Sequence, residues 1–282
     1  MAKRAGKYKA RRHATLKERA KTLSRVEFLA ALVHIAINKY VLPKLEPDVS
    51  NALERLLGVD VRACVHKSAL DAPNEFRKTY LYSKAVNSVL RWHELSLRNI
   101  FDAISSVGSE SPTSLIDLEA FLRAIASLEI IAVDATERDC SLCFVWSRMS
   151  VVDGRTHKGK HKESFLPFEG FLEAICRVAV LKAFPTDAEI RNAGCAHAGA
   201  YLDQLEEEDS EAYEELIESR NTDFGDEPDY QPIHRCVAHL IEMMIYRIEK
   251  LCGGQGDDAN TLTISELDAR KWLKSAGMEV RL

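Results

Sequence analysis

The 282-residue sequence predicts an all-α protein. Apolar residues recur at three- and four-residue spacing, which is the periodicity of helices that bury one face. They do so in residues 26–40, 79–104, 117–131, 139–149, 168–183, 234–251 and 264–274. Alternating runs long enough for strands are absent from the sequence, and proline and glycine breaks separate the helical segments. A further helix start is predicted after Pro185, because Thr186 and Glu189 have the spacing of a capping box.

Composition bounds the class of protein and its compartment. Hydrophobic residues make up 46% of the chain and charged residues 29%, which predicts a folded globular protein. Apolar stretches fall short of the roughly 18 to 20 residues of a membrane span, and the N-terminus is too basic for a secretory signal. Seven cysteines scattered through apolar helical segments predict reduced thiols. We therefore expect a cytoplasmic protein.

Charge is divided unevenly along the chain. Residues 1–25 contain ten Lys/Arg and one acid, whereas residues 203–229 contain thirteen Asp/Glu and one Arg. We call residues 1–22 the basic arm. Such a polycation suits nucleic acid, an anionic membrane surface or an acidic protein surface, and a solvated disordered tail is the fourth alternative. The candidate partner-binding residues of the basic arm are Lys3, Arg4, Lys7, Lys9, Arg11, Arg12, Lys17, Arg19 and Lys21.

A helical pattern recurs four times. The stretch LSRVEFLAALVHIAI at residues 23–37 matches LPFEGFLEAICRVAV at residues 166–180, and both carry Phe five residues after the first Leu. The shared outline is an aliphatic residue, then a small or acidic residue four positions on, then a large apolar residue that opens a helix. The aliphatic residues of the four copies are Leu23, Ile116, Leu166 and Leu262. A second helix precedes every copy except the first.

Paired copies are expected, because one helix-loop-helix cannot bury its own apolar face. The aliphatic loop residues would then pair between neighbouring copies. Four copies make two pairs, which predicts one lobe at residues 23–131 and another at residues 132–282 that contains the acidic segment 203–229. The first lobe either lacks its entering helix or receives it from a partner.

The copies resemble EF-hands, in which a loop with one aliphatic residue is followed by an acid and then by Phe opening the next helix. LSRVEFLAALV at residues 23–33, NEFRKTYLY at 74–82 and WSRMSVVD at 146–153 are similar to segments of divergent EF-hand-like proteins of flagellated protists. The resemblance implies two EF-hand-like pairs of the calmodulin superfamily. It also implies a cytoskeletal or axonemal partner in a cilium or flagellum.

Most of the loops lack calcium ligands. A calcium loop needs oxygen ligands at its first, third and fifth positions, Gly at the sixth and a bidentate Glu at the twelfth. Ala120 and Gly170 stand at the twelfth position of the second and third copies, and the third loop is rich in Lys and Arg. The first copy keeps Glu27, but basic and apolar residues surround it. The last loop, with Asp257 and Glu266, remains a candidate for weak calcium binding.

Other chemistry is poorly supported by the sequence. There is no nucleophile elbow and no phosphate-cradling glycine loop, so we predict that the protein is not an enzyme. His34 and His239 lie on apolar helical stretches and are predicted to be core or interface residues. A zinc site is not predicted, because a CxxC within an apolar helical stripe is typical of buried cysteines. The zinc candidates considered were Cys140, Cys143, Cys195, His197, His234 and Cys236.

These observations predict a non-enzymatic structural or adaptor protein. Its basic arm would dock on an acidic protein surface, with tubulin in microtubules or an axonemal assembly as the expected partner. An amphipathic helix of a larger complex is a second ligand that such lobes accommodate. Two alternatives remain open: a weak calcium sensor acting through Asp257 and Glu266, and nucleic-acid binding through the basic arm. Apart from calcium at the last loop, no cofactor is predicted.

Overall fold

The computed structural model describes residues 25–65, 73–107, 115–149, 156–222, 226–253 and 263–278. The all-α prediction is confirmed, because these residues form helices and the part of the chain that they cover contains no β-strand. The basic arm lies outside the described residues. The chain divides into two compact units, which we call unit 1 (residues 1–70) and unit 2 (residues 71–282).

Unit 1 is a helical hairpin. Tyr40 and Leu56 are its large buried side chains, and Ala36 and Ala52 are the small ones between them. Asp48 begins the second helix, because its carboxylate accepts a hydrogen bond from the backbone N–H of Asn51. The elements are α1 (Arg25–Ala36), which continues as the π-helical turn π1 (Ile37–Val41), α2 (Val49–Arg55), which continues as π2 (Leu56–Val61), and the single turn α3 (Arg62–Cys64).

Unit 2 holds the large core. Its first helical elements are α4 (Pro73–Phe76), the π-helical turn π3 (Arg77–Leu81), α5 (Lys84–Trp92) and α6 (Glu94–Ser105). The central elements are α7 (Leu118–Ser127), α8 (Glu137–Ser147), α9 (His157–Ser164) and α10 (Phe168–Leu181). The last are α11 (Asp187–Asn192), α12 (Ala198–Glu208), α13 (Ser210–Arg220), α14 (Ile233–Leu251) and α15 (Glu266–Ser275).

Two helix-loop-helix motifs pair at the centre of unit 2. Helices α6 and α7 form one motif and α8 and α10 the other, and an antiparallel bridge joins Ile116 to Leu166 with N–O distances of 2.9 and 2.8 Å. Aliphatic loop residues therefore pair as predicted, and the second copy pairs with the third. The bridge joins residues on either side of the boundary predicted after residue 131. The predicted two-lobe arrangement is not confirmed.

Helix caps and aromatic side chains fix this pairing. The predicted capping box before α11 is confirmed, since Thr186 and Glu189 satisfy each other's backbone N–H groups. Thr136 begins α8 with a second capping box, and Asp117 caps α7 by accepting a hydrogen bond from the backbone N–H of Ala120. Below the caps, the fully buried aromatic residues are Phe101, Phe121, Phe144, Phe171, Phe184 and Trp272.

A third helix-loop-helix, formed by α14 and α15, is held by side chains of α6. The backbone N–H of Ile264 donates to the Ser96 hydroxyl, and the Asn99 amide donates to the Ile264 carbonyl, at 3.0 and 2.8 Å. Ile264 lies two residues before its helix, as Ile116 and Leu166 do before theirs. It therefore holds the position that the sequence pattern assigned to Leu262, which is outside the described residues. This corrects the predicted loop register by two residues.

The acidic segment is partly helical. Helices α12 and α13 cover residues 198–220, and the Asp203 carboxylate receives hydrogen bonds from Tyr246 and Lys250 of α14. The remaining acids of these helices are mostly exposed. The described part of the segment is thus an acidic surface on α12 and α13, of which α12 packs against α14.

Candidate functional site

Unit 1 exposes many large apolar side chains. Among its described residues, nine of them are at least 38% exposed, whereas only Tyr40 and Leu56 are large and buried. A segment of this size with so small a core is marginally stable alone, and a clustered apolar surface marks an interaction site. The exposed residues are Val26, Phe28, Leu29, Ile35, Leu42, Leu45, Val49, Leu57 and Val59. We call this set the apolar surface.

Polar contacts keep the hairpin of unit 1 together. The Lys39 ammonium lies 2.8 Å from the Asp60 carboxylate, which also accepts a hydrogen bond from the Tyr40 hydroxyl. Arg55 bonds Glu46 at 2.8 Å and lies over the Tyr40 ring, 4.9 Å from its centroid. The hydrogen bonds from Lys39 and Tyr40 lower the pKa of Asp60. These contacts link π1 to α2 and π2. The apolar surface therefore lies on two helical segments that polar contacts hold together.

The two units carry opposite charge. Residues 1–70 contain fifteen Lys/Arg and six Asp/Glu, while residues 71–282 contain twenty-three Lys/Arg and thirty-seven Asp/Glu. Most of the excess positive charge precedes α1, in the basic arm. The sequence therefore joins a polycation directly to the helix with the exposed apolar side chains.

Helices α8 and α10 pack closely at Gly170. A Cβ atom at Gly170 would lie 2.9 Å from the Ser147 carbonyl oxygen and 3.0 Å from Leu166 Cδ2. The end of α8 therefore rests directly on the first turn of α10, where the EF-hand resemblance would place a carboxylate side chain. Glycine is required there because no larger residue fits.

An arginine joins the two helices at this point. Arg77, on π3, donates from Nη2 to the Trp146 carbonyl at 2.9 Å and from Nε to Glu173 of α10 at 2.8 Å. Glu173 also bonds Arg177, whose guanidinium lies over Phe76. A guanidinium at the last carbonyls of a helix is favourable, because the C-terminal end of the helix dipole is negative. Arg77 thus ties the end of α8 to α10 and lines a cleft of about 710 Å³.

The last loop is described only at its end. With Ile264 at the position before the helix, Asp268 rather than Glu266 matches the position of Gly170 in the third copy. Asp268 accepts a hydrogen bond from Ser265, the N-cap of α15, and Glu266 pairs with Arg270 at 2.6 Å. Asp257 lies outside the described residues. Calcium binding at this loop stays a prediction.

The zinc candidates do not come together. Cys140 and Cys143 are buried in α8, and burial raises the pKa of the Cys140 thiol to about 12. A thiol protonated at neutral pH is a poor metal ligand. Among the described residues, no group of three or more His, Cys, Asp or Glu side chains is placed to hold a metal ion. His239 is buried, as predicted, whereas His34 is exposed on α1.

Sequence reasoning missed α2 and the role of Arg77. The signal for α2 was present, since Asp48 is followed by Val49-Ser-Asn-Ala-Leu, a capping residue before a helical run. No sequence signal pointed to Arg77, because its partners Trp146 and Glu173 are 69 and 96 residues away.

Comparison of the chain with protein-family models, with curated proteins and with solved structures gives no match. The resemblance to EF-hand proteins therefore stays a prediction. Within the described residues, every helix is too short or too polar to traverse a lipid bilayer.

Proposed function

We propose that this protein is a non-enzymatic adaptor that binds an acidic protein partner through unit 1 and the basic arm. The observation that carries the proposal is the apolar surface, with nine large apolar side chains exposed on a hairpin that buries two. The apolar side chains of α1 are distributed over all faces of the helix, and a helix of that kind is normally buried. A partner that covers α1 would supply the missing core.

The chemistry of the chain limits what that partner is. Helix-in-groove binding uses apolar anchors at helical spacing, which Val26, Leu29 and Leu32 provide on α1. Ten Lys/Arg within residues 1–25 favour a groove with an acidic rim, because complementary charge steers association and fixes orientation. Tubulin surfaces are strongly acidic, so a microtubule or axonemal assembly is the partner class to test first.

Co-sedimentation with microtubules at increasing salt tests the proposal. Full-length protein is compared with a variant lacking residues 1–22 and with the double variant Phe28→Ser/Leu29→Ser. We expect the full-length protein to pellet at low salt, the arm deletion to weaken pelleting and remove most of its salt dependence, and the double variant to weaken it at all salt concentrations. Leu267→Ser is the matched control, because Leu267 is a similarly exposed leucine in unit 2.

Each outcome decides a different part of the proposal. Failure of the full-length protein to pellet at low salt rejects the microtubule version. Equal pelleting of Phe28→Ser/Leu29→Ser and Leu267→Ser rejects the apolar surface as the docking element. Retention on nucleic acid that matches retention on microtubules, and that is lost with residues 1–22, favours the nucleic-acid alternative.

A further inference from the structure

A second site is a polar pocket of about 450 Å³ in unit 2. It lies between α11, the segment of residues 193–197 that follows, and α14. The charged side chains in its wall are two carboxylates, Asp187 and Glu242, and two guanidinium groups, Arg191 and Arg235. His239 forms the buried part of the wall. Charge of both signs in one small pocket is unusual for a surface that binds only water or a simple ion.

His239 finds no hydrogen-bond partner among the described residues although it is only 1% exposed. Its Nε2 atom lies 3.4 Å from a carboxylate oxygen of Asp187, and its Nδ1 atom lies 3.8 Å from a carboxylate oxygen of Glu242. The ring is therefore near two carboxylates and bonded to neither. Buried polar atoms are nearly always hydrogen-bonded, so an exception calls for a ligand or ordered water.

Arg235 presents a second buried donor. Its Nη2 atom bonds Asp187, but its Nε–H is buried without an acceptor in the described part of the chain. Arg191 donates from Nε to the Asp187 carbonyl, and its terminal nitrogens form no hydrogen bond with the described residues. Three residues that line the pocket thus carry N–H groups without an acceptor among the described residues. They call for an oxygen-rich anion such as a carboxylate.

Glu242, in contrast, favours a positively charged group on the ligand. Its carboxylate forms no hydrogen bond with the described residues, and its side chain is 25% exposed at the pocket. A bare anion would be repelled by Glu242, and a bare cation would be repelled by Arg191 and Arg235. A ligand that carries both charges on one carbon satisfies both ends.

We propose that this pocket binds a free α-amino acid. The α-carboxylate accepts hydrogen bonds from His239, the Arg235 Nε–H and Arg191, and the α-ammonium donates to Glu242. A metal ion is disfavoured, because no group of three or more ligating side chains exists among the described residues. Comparing the affinities of different amino acids would show which ligand side chain the pocket prefers.

The test uses the full-length protein, thermal unfolding and isothermal titration calorimetry. The probes are the free L-amino acids, each added singly, with acetate and methylammonium as the two separate halves of the ligand. We expect at least one amino acid to raise the unfolding temperature in a concentration-dependent way and to give a saturable heat, while neither half does so at the same concentration.

Two variants locate the binding. Glu242→Gln keeps the shape of the side chain and removes its charge, so we expect the affinity to fall about tenfold to a hundredfold, as for the loss of one charge-assisted hydrogen bond. Glu215→Gln, an exposed carboxylate on α13, is the control and should bind as the unmodified protein does. Far-UV circular dichroism checks that both variants fold.

Three results would overturn the proposal. The first is that no amino acid shifts the unfolding temperature or gives heat, which leaves a pocket filled with water. The second is that acetate binds as tightly as the best amino acid, which makes the site a general anion site. The third is that Glu242→Gln binds that amino acid with unchanged affinity.

Discussion

Phe28 in unit 1 and Phe171 in unit 2 hold the same place in two matching stretches of sequence, yet their surroundings differ completely. Phe28 is 52% exposed, and Phe171 is 0% exposed and lies 5.7 Å from the ring of Phe101. The same residue pattern produced a helix in both places. What the comparison teaches is that the pattern predicts the helix, while burial depends on which other helices are present.

Unit 2 supplies those helices and unit 1 does not. Helix α10, which carries Phe171, packs on α6, α8 and α14, and nearly all of its residues are buried. Helix α1 has one fully buried residue, Ala36. Under the proposed function, a partner protein supplies the neighbours that α1 lacks.

The largest expected effect comes from making the same substitution in both units. Phe171→Ala should lower the free energy of unfolding by about 3 to 5 kcal/mol, because it removes a fully buried ring and leaves a cavity. Phe28→Ala should change it by less than about 0.5 kcal/mol, as is usual for an exposed position. Urea unfolding monitored by far-UV circular dichroism, which reports on the helices of both units, measures both, and equal losses would show that Phe28 is covered within the chain.

A buried ion pair gives the next effect. The Lys182 ammonium lies 2.8 Å from the Asp134 carboxylate, which also accepts from the Ala183 N–H, and both side chains are buried. Lys182→Ala leaves an unpaired buried carboxylate, so the unfolding free energy should fall by about 3 kcal/mol. Lys39→Ala breaks an exposed pair with Asp60 in unit 1 and should have little effect on global unfolding. Similar losses from the two variants would contradict this difference between the units.

Glycine-to-alanine substitutions are expected to change stability in opposite directions in the two units. Gly170→Ala forces a Cβ atom to within 2.9 Å of the Ser147 carbonyl, so the unfolding free energy should fall by about 1 to 3 kcal/mol. Gly58→Ala in π2 meets no atom within 4 Å and should stabilise its helix by about 0.5 to 1 kcal/mol. Chemical denaturation measures the first, and far-UV circular dichroism of the full-length protein on heating measures the second.

The same position tests whether a carboxylate there would let the third copy bind calcium, which its sequence argues against. Gly170→Glu places a carboxylate at the position of the twelfth ligand, but no space exists for it between α8 and α10. Titration with calcium should therefore give no heat. A saturable heat would show that the loop retains a cage for the ion.

The smallest effect concerns pH. Hydrogen bonds from Arg220, and further ones within the capping box, lower the pKa of Glu189 to about 2 from its ordinary value of 4.5. Because the folded pKa is the lower one, the stabilisation is present above about pH 4.5 and is lost as the pH falls toward 2. Glu189 is partly exposed, so we expect Glu189→Gln to cost about 1 kcal/mol at pH 6. The difference from the unmodified protein should vanish near pH 2, which unfolding at several pH values would check.

The sequence predicted local features well and long-range partners poorly. Thr186 and Glu189 were identified as a capping box because both lie in one helical turn. Ile116 and Leu166 were identified as loop residues that pair, but which loop meets which depends on the packing of entire helices. The pattern placed Leu262 at the loop position that Ile264 holds in the structure. Both residues are aliphatic, and the cap Ser265 distinguishes them only once the helix start is known.

Arg77 links α8 to α10 through a side chain of the protein itself and not through a bound ion. A soluble metal ion occupies a loop only in proportion to its concentration, whereas a guanidinium attached to the chain is present at a fixed effective concentration. The link from the end of α8 to Glu173 therefore needs no ion taken up from solution. The geometry of the α8–α10 pair is set at this point by side chains of the chain itself.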